Sequence, residues 1–366
     1  MVVMKTFHLI AAARPNFMKI APLYHALRGE TWCEPKIVHT GQHYDPNMSD
    51  AFFRDLRMPS PDIHLGVGSG THAEQTGGVM IAYEKICLDN PPDLIIVVGD
   101  VNSTAACAIV GAKLHIPVAH LEAGLRSRDR RMPEEINRLI TDAISDILWT
   151  PSPDADANLL QEGIASDKIE RIGNIMIDSY EMLREQIDQA TARKDLGLSD
   201  ERYVVVTLHR PSNVDRRETL SRLVDQLIQI AQDVRLVFSV HPRTRRRLTE
   251  FGLLAKLESA AGVKLTEPMG YIDFMNLVKG SSAVITDSGG VQEETTYLAI
   301  PCLTLRENTE RPITITEGTN RLVRPEDLVG SIGLALSGAW GERRVPERWD
   351  GHAAERAVEF LRTRFL

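Results

Sequence analysis

Residues 94–126 read LIIVVGDVNSTAACAIVGAKLHIPVAHLEAGLR and contain one complete example of the pattern that decides the fold. Two short apolar runs, Leu94–Val98 and Val118–Leu121, flank a helical stretch at Ser103–Leu114. Strands that are apolar along their whole length, rather than at every second residue, are typical of a parallel sheet covered on both faces. The segment therefore predicts a strand, a helix and a second strand parallel to the first.

The same alternation of strand and helix fills the rest of the chain and divides into two series. The apolar runs are Thr6–Ala12, Lys36–His39, Leu94–Val98, Val118–Leu121 and Ile147–Thr150 in the first series, and Tyr203–Leu208, Arg235–Val240, Val263–Thr266, Ala283–Thr286 and Pro301–Thr304 in the second. The break near Gly173 predicts an N-terminal Rossmann-like domain over residues 1–172 and a second over residues 173–349. A last helix, at about residues 350–366, is expected to pack back on the first domain.

Length and composition fit a two-domain protein of this class. The 366 residues exceed what one hydrophobic core usually organises, and 43% hydrophobic and 25% charged residues are normal for a globular protein. The net charge of -8 argues against a general nucleic-acid binder, and no apolar run reaches the roughly 18 residues of a membrane span. The four cysteines lack C-x-x-C spacing and are predicted to be buried in a reducing compartment. We therefore expect a cytoplasmic protein that binds neither nucleic acid nor membrane.

A candidate anion site follows the run Ala283–Thr286, where residues 287–290 read DSGG and lead into a helical stretch. Ligands of open parallel sheets bind at the carboxyl ends of the strands. Small residues there let phosphate oxygens approach backbone N–H groups, and the helix dipole favours an anion. An ordinary N-cap with a tight turn explains the same residues. Glu294 favours the nucleotide interpretation, because a carboxylate can accept hydrogen bonds from both hydroxyls of a ribose.

Three carboxylates occur at predicted strand ends or at a helix start. Asp100 and Glu122 each follow a strand, and Glu134 begins a helix. Helix capping and compensation of the helix dipole explain each of them separately. Their convergence beside Arg126 and Arg138 favours proton transfer, since enzymes commonly use paired carboxylates as acid and base.

Basic side chains follow two other strands. Arg14 and Lys19 come after the first strand, and both can reach an anion from the start of a helix. His209 and Arg210 follow the first strand of the second series, where a basic surface pair is an equally good explanation. The glycines at positions 66, 68 and 70 fail the G-x-G-x-x-G spacing, and no metal-binding spacing such as H-E-x-x-H is present. We therefore expect no NAD site, no metal and no other cofactor.

Eight blocks of sequence stand in order along nearly the whole chain. They are Arg14-Pro15-x-x-x-Lys19-x-Ala21-Pro22-Leu23, Thr40-Gly41-Gln42-His43, Gly99-Asp100, His120-x-Glu122-Ala123-Gly124-Leu125-Arg126, Pro133-Glu134-Glu135-x-Asn137-Arg138, His209-Arg210, Thr286-Asp287-Ser288-Gly289-Gly290-x-Gln292-Glu293-Glu294 and Thr309-Glu310-Arg311-Pro312. Together they resemble the non-hydrolysing UDP-N-acetylglucosamine 2-epimerases. The resemblance implies a GT-B-like pair of Rossmann-like domains with the active site in the cleft between them, a homodimer, and reversible conversion of UDP-GlcNAc into UDP-ManNAc.

The resemblance also implies roles for individual residues. The implied catalytic residues are Asp100, Glu122, Glu134 and His209, and the implied substrate-binding residues are Arg14, Lys19, Gln42, His43, Arg138, Tyr271, Phe274, Ser288, Gly289, Gly290, Glu294 and Arg311. Among them, the diphosphate is assigned to Arg14, His209, Ser288 and Gly289, the ribose to Glu294, and stacking on uracil to Tyr271 or Phe274.

The chemistry fits this resemblance, because C2 of the sugar has no adjacent carbonyl group to acidify its proton. Inversion there needs either transient oxidation or elimination, and with no NAD site expected, elimination is left. A base removes the C2 proton while UDP leaves C1, and UDP then adds back to a 2-acetamidoglucal as a proton reaches the other face of C2.

Other functions stay open at this point. A GT-B glycosyltransferase would share the UDP site without needing the carboxylates, whereas a catalytically silent UDP-sugar sensor would be expected to lose them. A hydrolysing epimerase typically carries Arg-Ala-Asp where this chain has Arg14-Pro15-Asn16. The substituents of the sugar stay open as well, since related enzymes act on UDP-diacetamido uronic acids.

Many bacterial relatives are activated by UDP-GlcNAc bound at a second site beside the active site. Asp45 and Glu74 fall where such relatives place glutamine and arginine. A carboxylate repels a nearby diphosphate, so the sequence predicts an enzyme that its own substrate does not activate.

Overall fold

The computed structural model describes residues 4–41, 53, 55–341 and 344–366, which form two compact units. Unit 1 extends to Met182 and resumes at Glu347–Leu366, and unit 2 comprises Leu183–Pro346. Each unit is built around a parallel sheet with helical crossovers, which confirms the predicted α/β class with two Rossmann-like domains. No helix in the described part of the chain is both long enough and apolar enough to cross a bilayer.

Unit 1 has a sheet of seven strands over the described residues. Its strands are β1 (Lys5–Ala11), β2 (Cys33–His39), β3 (Ile63–His64), β4 (Leu94–Val98), β5 (Val118–Leu121), β6 (Ile147–Thr150) and β7 (Ile169–Arg171). Its helices are α1 (Arg14–Arg28), α2 (His72–Asp89), α3 (Asn102–Lys113), α4 (Pro133–Ile144), α5 (Pro153–Gln161), a 3-10 turn at Ser166–Lys168, and α6 (Ile175–Gln189), which continues into unit 2. The strand order is β3-β2-β1-β4-β5-β6-β7.

Unit 2 has six strands over the described residues. They are β8 (Tyr203–Thr207), β9 (Arg235–Ser239), β10 (Val263–Thr266), β11 (Ala283–Thr286), β12 (Cys302–Thr304) and β13 (Asn320–Leu322), in the order β10-β9-β8-β11-β12-β13. The helices are α7 (Ala192–Asp195), α8 (Pro211–Val214), α9 (Arg217–Ile230), α10 (Pro242–Glu250), α11 (Leu254–Glu258), α12 (Tyr271–Gly280), α13 (Gly289–Tyr297), α14 (Ile313–Thr316), a 3-10 turn at Pro325–Asp327, and α15 (Leu328–Leu336).

The order of the strands reverses once in each sheet. In unit 1 the reversal lies between β1 and β4, and in unit 2 it lies between β8 and β11. Crossover connections leave such a point in opposite directions, which opens a crevice at the carboxyl ends of the two strands where ligands commonly bind. The topology therefore places the candidate sites at the residues that follow these four strands.

The C-terminal helix α16 (Ala353–Phe365) belongs to unit 1. It packs on α1, and the ring of Phe365 lies 5.1 Å from the ring of Phe7. The first two backbone N–H groups of α16 donate to Asp178 on α6, at 3.1 and 2.7 Å. These contacts hold the start of α6 in unit 1, so the unit extends beyond residue 172 to Met182.

Most predicted strands lie where the sequence put them, and the missed ones are short edge strands. The runs Leu94–Val98, Val118–Leu121 and Ala283–Thr286 match β4, β5 and β11 residue for residue. The strands β3, β7 and β13 were not predicted. All four cysteines are buried and free of disulfide bonds, as expected from their apolar surroundings.

Candidate active site

The carboxyl ends of β1, β4 and β5 bring three polar side chains of unit 1 together around Gly99. This residue has a φ of +67°, a conformation that side chains disfavour. A β-carbon placed on it would lie 3.5 Å from Glu122 Oε2, 3.5 Å from Lys19 Nζ and 3.7 Å from Asn16 Nδ2. The chain therefore turns at a residue without a side chain, and two predicted site residues converge on that turn.

Lys19 and Glu122 form an ion pair in this cluster, with side chains only 12% and 3% exposed. Glu122 has a φ of +71°, which costs a residue with a side chain on the order of 1 kcal/mol. Backbone strain of this kind persists where the surrounding structure imposes it, often at functional sites. The strain and the buried ion pair together support a functional role for Glu122.

Asp100 forms a second ion pair, with Arg138 on α4. The Arg138 side chain is 2% exposed, whereas that of Asp100 is 33% exposed and open to a ligand. Arg138 Nη2 also donates to Glu135 Oε2 at 2.7 Å. Burial would raise the pKa of Glu135, but the N–H of Ser127 and the Arg138 guanidinium hold it below its ordinary value. The ionised Glu135 therefore fixes Arg138, and Arg138 orients Asp100.

Glu134 and Arg14 lie in the first turns of two helices, and both are exposed. Glu134 precedes Arg138 by one helical turn, so the two side chains share a face of α4. Arg14 begins α1, the helix that carries Lys19. Both residues are accessible to a ligand, and their helices also carry Lys19 and Arg138, the cations of the two ion pairs.

Unit 2 has an open cavity of about 310 Å³ at the carboxyl ends of β8 and β9. Its lining consists of Thr207, His209, Ser239, His241, Pro268, Met269, Phe274, Ser288 and Val291. Three of these, His209, Phe274 and Ser288, are predicted substrate-binding or catalytic residues. The cavity lies beside the strand reversal of unit 2, where the topology leads us to expect a ligand.

His209 is oriented by a buried carboxylate. Its Nδ1 lies 2.9 Å from Asp287 Oδ1, and Asp287 is fully buried. Asp287 also accepts from the backbone N–H of Arg210 at 2.9 Å and from Asn213 Nδ2 at 3.0 Å. Burial would raise the pKa of Asp287, but its hydrogen bond with His209 and the other donors keep it below its ordinary value. Since Nδ1 is engaged by an ionised carboxylate, Nε2 is the ring atom that can meet a ligand.

His241 also lines the cavity, although sequence reasoning gave it no role. Its ring lies 5.6 Å from the ring of His209, and its Nδ1 accepts from the backbone N–H of Arg243 at 3.2 Å. Burial and the neighbouring His209 lower its pKa, which favours the neutral ring. The rule that singled out His209, namely a polar residue just after a buried strand, applies equally to His241 and would have found it.

The start of α13 is partly exposed. Ser288 is the N-cap residue, but its side chain makes no capping hydrogen bond, so the hydroxyl is available for other use. A β-carbon on Gly290 would meet nothing within 4 Å, whereas one on Gly289 would lie 2.9 Å from Arg311 Nη1 and from Glu310 Oε1. The ends of two side chains therefore lie close to Gly289, and Gly290 faces open space.

Arg311 is part of that packing. Its guanidinium is buried, with Nε 2.8 Å from Glu293 Oε1 in an ion pair, and Nη1 donates to Glu310 Oε1 at 2.6 Å. Although burial opposes it, Arg311 and Arg306 hold the pKa of Glu310 well below its usual range. Each of these cations is neutralised within the protein, so the cluster supports the start of α13 from below.

The side chains predicted to hold the nucleoside differ in their surroundings. Glu294 is almost fully buried, and burial raises its pKa to about 8, with a further contribution from Glu293 and an opposing hydrogen bond from Tyr271. Phe274 lines the cavity. Of the two aromatic residues predicted to stack on uracil, Phe274 therefore faces the cavity, and Tyr271 contacts Glu294. Gln42 and His43 lie outside the described residues.

Residues 25–362 match the family model of UDP-N-acetylglucosamine 2-epimerase. A UDP-N-acetylglucosamine 2-epimerase of Methanocaldococcus jannaschii is 44% identical over 336 residues, which cover 90% of this chain and 92% of the relative. A crystal structure of the enzyme from that organism, in complex with UDP-GlcNAc and UDP, superposes with a TM-score of 0.88 at 42% identity and covers 98% of this chain and 99% of the other.

A second relative carries a different substrate in its name. The UDP-2,3-diacetamido-2,3-dideoxy-D-glucuronate 2-epimerase of Pseudomonas aeruginosa is 41% identical over 357 residues, covering 96% of this chain and 98% of the relative.

Proposed function

The chain belongs to the UDP-N-acetylglucosamine 2-epimerase family, and we propose that it interconverts UDP-GlcNAc and UDP-ManNAc by elimination and re-addition of UDP. The observation that carries this proposal is the pair of ion-paired carboxylates of unit 1, Glu122 with Lys19 and Asp100 with Arg138. Oriented carboxylates are the groups that proton transfer at carbon requires. A protein that only binds UDP-sugars has no use for them.

In the proposed reaction, a carboxylate removes the proton from C2 while the bond between C1 and the UDP oxygen breaks on the opposite side, in an anti elimination. The products are UDP and a 2-acetamidoglucal with a double bond between C1 and C2. UDP then re-forms the bond to C1, and an acid delivers a proton to the other face of C2. Asp100, Glu122 and Glu134 are the proposed acid and base groups, with Lys19 and Arg138 orienting the first two.

Unit 2 supplies the proposed nucleotide site. The open start of α13, the Ser288 hydroxyl and His209 Nε2 are suited to the diphosphate, since a helix N-terminus attracts an anion. When UDP leaves C1 it gains negative charge, and these donors stabilise it. We assign the ribose to Glu294 and the uracil face to Phe274.

A related substrate is a second candidate, because the Pseudomonas aeruginosa relative is almost as similar to this chain as the archaeal one and matches more of it. UDP-2,3-diacetamido-2,3-dideoxyglucuronate would undergo the same chemistry at C2, since its additional groups are at C3 and C5. The proposed proton transfer is therefore the same for both sugars, and only the contacts to the sugar differ.

Incubation in D2O separates these possibilities. We expect deuterium at C2 of a sugar still attached to UDP, detected by NMR, with UDP-GlcNAc as the preferred substrate. Preferential exchange into the diacetamido uronate would identify that sugar as the substrate. Release of free UDP without exchange at C2 would contradict epimerisation and favour a transferase or hydrolase.

We also propose that the protein is a homodimer. Ile81 and Leu88 on α2 are 63% and 65% exposed, and two helical turns separate them on one face. Large exposed apolar side chains in a row are typical of an interface. Light scattering coupled to size exclusion should give twice the 40.8 kDa chain mass, and Ile81→Asp should shift it toward the monomer.

A further inference from the structure

A buried histidine lies behind the carboxylate cluster of unit 1, and the proposed reaction gives it no role. His120, the third residue of β5, is fully buried. Its Nδ1 lies 2.6 Å from Asp142 Oδ1, and its Nε2 lies 2.8 Å from the carbonyl oxygen of Gly99. Because Gly99 immediately precedes Asp100, the ring connects a buried carboxylate to the backbone that carries a proposed catalytic residue.

Both atoms that face the ring are acceptors. The carbonyl oxygen of Gly99 carries no proton, so Nε2 must donate to it. Asp142 Oδ2 accepts from Arg126 Nη1 at 2.7 Å and from the N–H of Gly124 at 3.1 Å. Burial would raise the pKa of Asp142, but His120 and Arg126 hold it below its ordinary value. Asp142 is therefore an ionised acceptor, Nδ1 must donate as well, and a ring that donates from both nitrogens is an imidazolium.

The carboxylate that meets Nδ1 belongs to a wider network of ion pairs. Arg126 donates to Glu162 from Nε at 2.9 Å and from Nη2 at 2.6 Å. Glu162 is partly exposed and also lies 3.9 Å from Arg128 Nη1. The Arg126 guanidinium has no acceptor atom and only donates, so Asp142 remains an acceptor toward His120.

We propose that His120 is a positioning residue that donates as an imidazolium to both Asp142 and Gly99, fixes the Gly99-Asp100 turn and places a positive charge behind the catalytic carboxylates. Its catalytic consequence rests on the proposed epimerase function, whereas its protonation does not. The charged groups around it are Asp142, Arg126, Glu162 and Arg128 on one side and, beyond Gly99, Lys19, Glu122, Asp100, Arg138 and Glu135 on the other.

Two neutral replacements separate the hydrogen bonds of His120 from its charge. His120→Gln can still reach toward the Gly99 carbonyl, and His120→Asn can still donate toward Asp142, but both remove the positive charge. A nearby cation favours ionised carboxylates, so its loss should move the acidic limb of the kcat/KM profile to higher pH in both variants. We expect kcat to fall about tenfold through misplacement of the turn, while UDP affinity, which depends on unit 2, stays the same. His115→Gln, at an exposed histidine before β5, is the matched control and should leave the profile unchanged.

The protonation state is measured directly by NMR of the full-length protein labelled with 15N-histidine. We expect one histidine whose two ring nitrogens keep imidazolium shifts well above pH 7, and whose signals disappear in the His120→Gln variant. If the histidine variants do not fold, the NMR titration of the wild-type protein still decides the point, because the proposal requires one histidine with both ring nitrogens protonated. Titration of all eleven histidines to the neutral form near pH 7 would overturn the proposal, as would unchanged pH profiles in both variants. Absence of epimerase activity in the wild type would contradict the proposed function and leave the NMR result standing.

Discussion

The two strand reversals of this protein carry opposite kinds of chemistry. In unit 1, the residues after β1, β4 and β5 are charged side chains that are already paired within the protein, such as Lys19 with Glu122. In unit 2, the residues after β8, β9 and β11 line an open cavity with hydroxyls, histidines and the uncovered start of a helix. The same topology therefore supports a prepaired charge cluster in one unit and an anion-accepting surface in the other.

Under the proposed function, this difference indicates which unit meets the requirements of each step. Proton transfer needs carboxylates that stay ionised and oriented before the substrate arrives, and buried cations provide both. A diphosphate brings its own negative charge, so its site needs donors without a competing carboxylate. Changes in unit 1 should thus affect turnover, and changes in unit 2 should affect nucleotide affinity.

The largest effect is expected from removal of the carboxylate charges in unit 1. Asp100→Asn, Glu122→Gln and Glu134→Gln should each lower kcat by ~100-fold or more, the usual scale for a positioned acid or base. UDP affinity, measured by calorimetry, should remain close to that of the wild type. Glu84→Gln, on the exposed face of α2, serves as the control. Near-normal turnover in any one variant would remove that residue from the mechanism. An equal loss of UDP binding would contradict the assignment of turnover to unit 1 and of nucleotide affinity to unit 2.

A negative charge at the start of α13 should have the next largest effect. Ser288→Asp places a carboxylate where we assign the diphosphate, and two unit charges ~4 Å apart repel by up to about 4 kcal/mol at an effective dielectric of about 20. Allowing half of this for solvent, UDP should bind roughly 30-fold more weakly. Ser288→Ala keeps the backbone N–H groups and should bind UDP almost normally. If Ser288→Asp binds UDP as tightly as the wild type does, the nucleotide lies elsewhere.

A smaller effect is expected from pH, through Glu294. Its pKa is raised to about 8, so at pH 7 most of the unliganded protein carries a protonated Glu294. Ribose hydroxyls donate to the ionised carboxylate, so UDP binding should release a proton and become up to about tenfold tighter as the pH rises from 7 to above 8. Calorimetry in buffers of different ionisation enthalpy counts the released protons. The Glu294→Gln variant should lack this proton release. If that variant releases the same number of protons on UDP binding, the protons come from the phosphate instead.

No effect at all is expected from UDP-GlcNAc as an activator. Glu74 is ionised and exposed, and it accepts from the N–H of Thr71 at 2.8 Å in the cap of α2, whereas Asp45 lies outside the described residues. Turnover started from pure UDP-ManNAc should begin at once and follow a hyperbola. A lag abolished by traces of UDP-GlcNAc would show that a second site operates in spite of these carboxylates.

The central strands could be predicted from sequence because both of their faces are covered. Every side chain of β4, which reads LIIVV, is buried. The missed strands β7 and β13 read IER and NRL and lie at sheet edges, where one side of the strand has no partner and polar residues are tolerated. Short edge strands are defined by the neighbour they pair with, and a single sequence does not contain that information.

The candidate site was predictable in location but less so in its partners. The rule that ligands bind after buried strands identified Asp100, Glu122, His209 and Ser288. It could not show that Arg311 is buried among carboxylates under Gly289, or that Tyr271 contacts Glu294. Sequence reasoning also gave His120 no role, because its partners, Gly99 after β4 and Asp142 on α4, are brought to it only by the fold.

The position of α16 has a consequence for biosynthesis. Because this helix packs on α1 and covers Phe7, unit 1 is begun first but completed last, after all of unit 2 has left the ribosome. The apolar surface that awaits α16 is thus exposed throughout translation of the intervening residues, while unit 2 is contiguous and can fold as soon as it emerges. The nascent chain should accordingly depend on holding chaperones for its first half rather than its second.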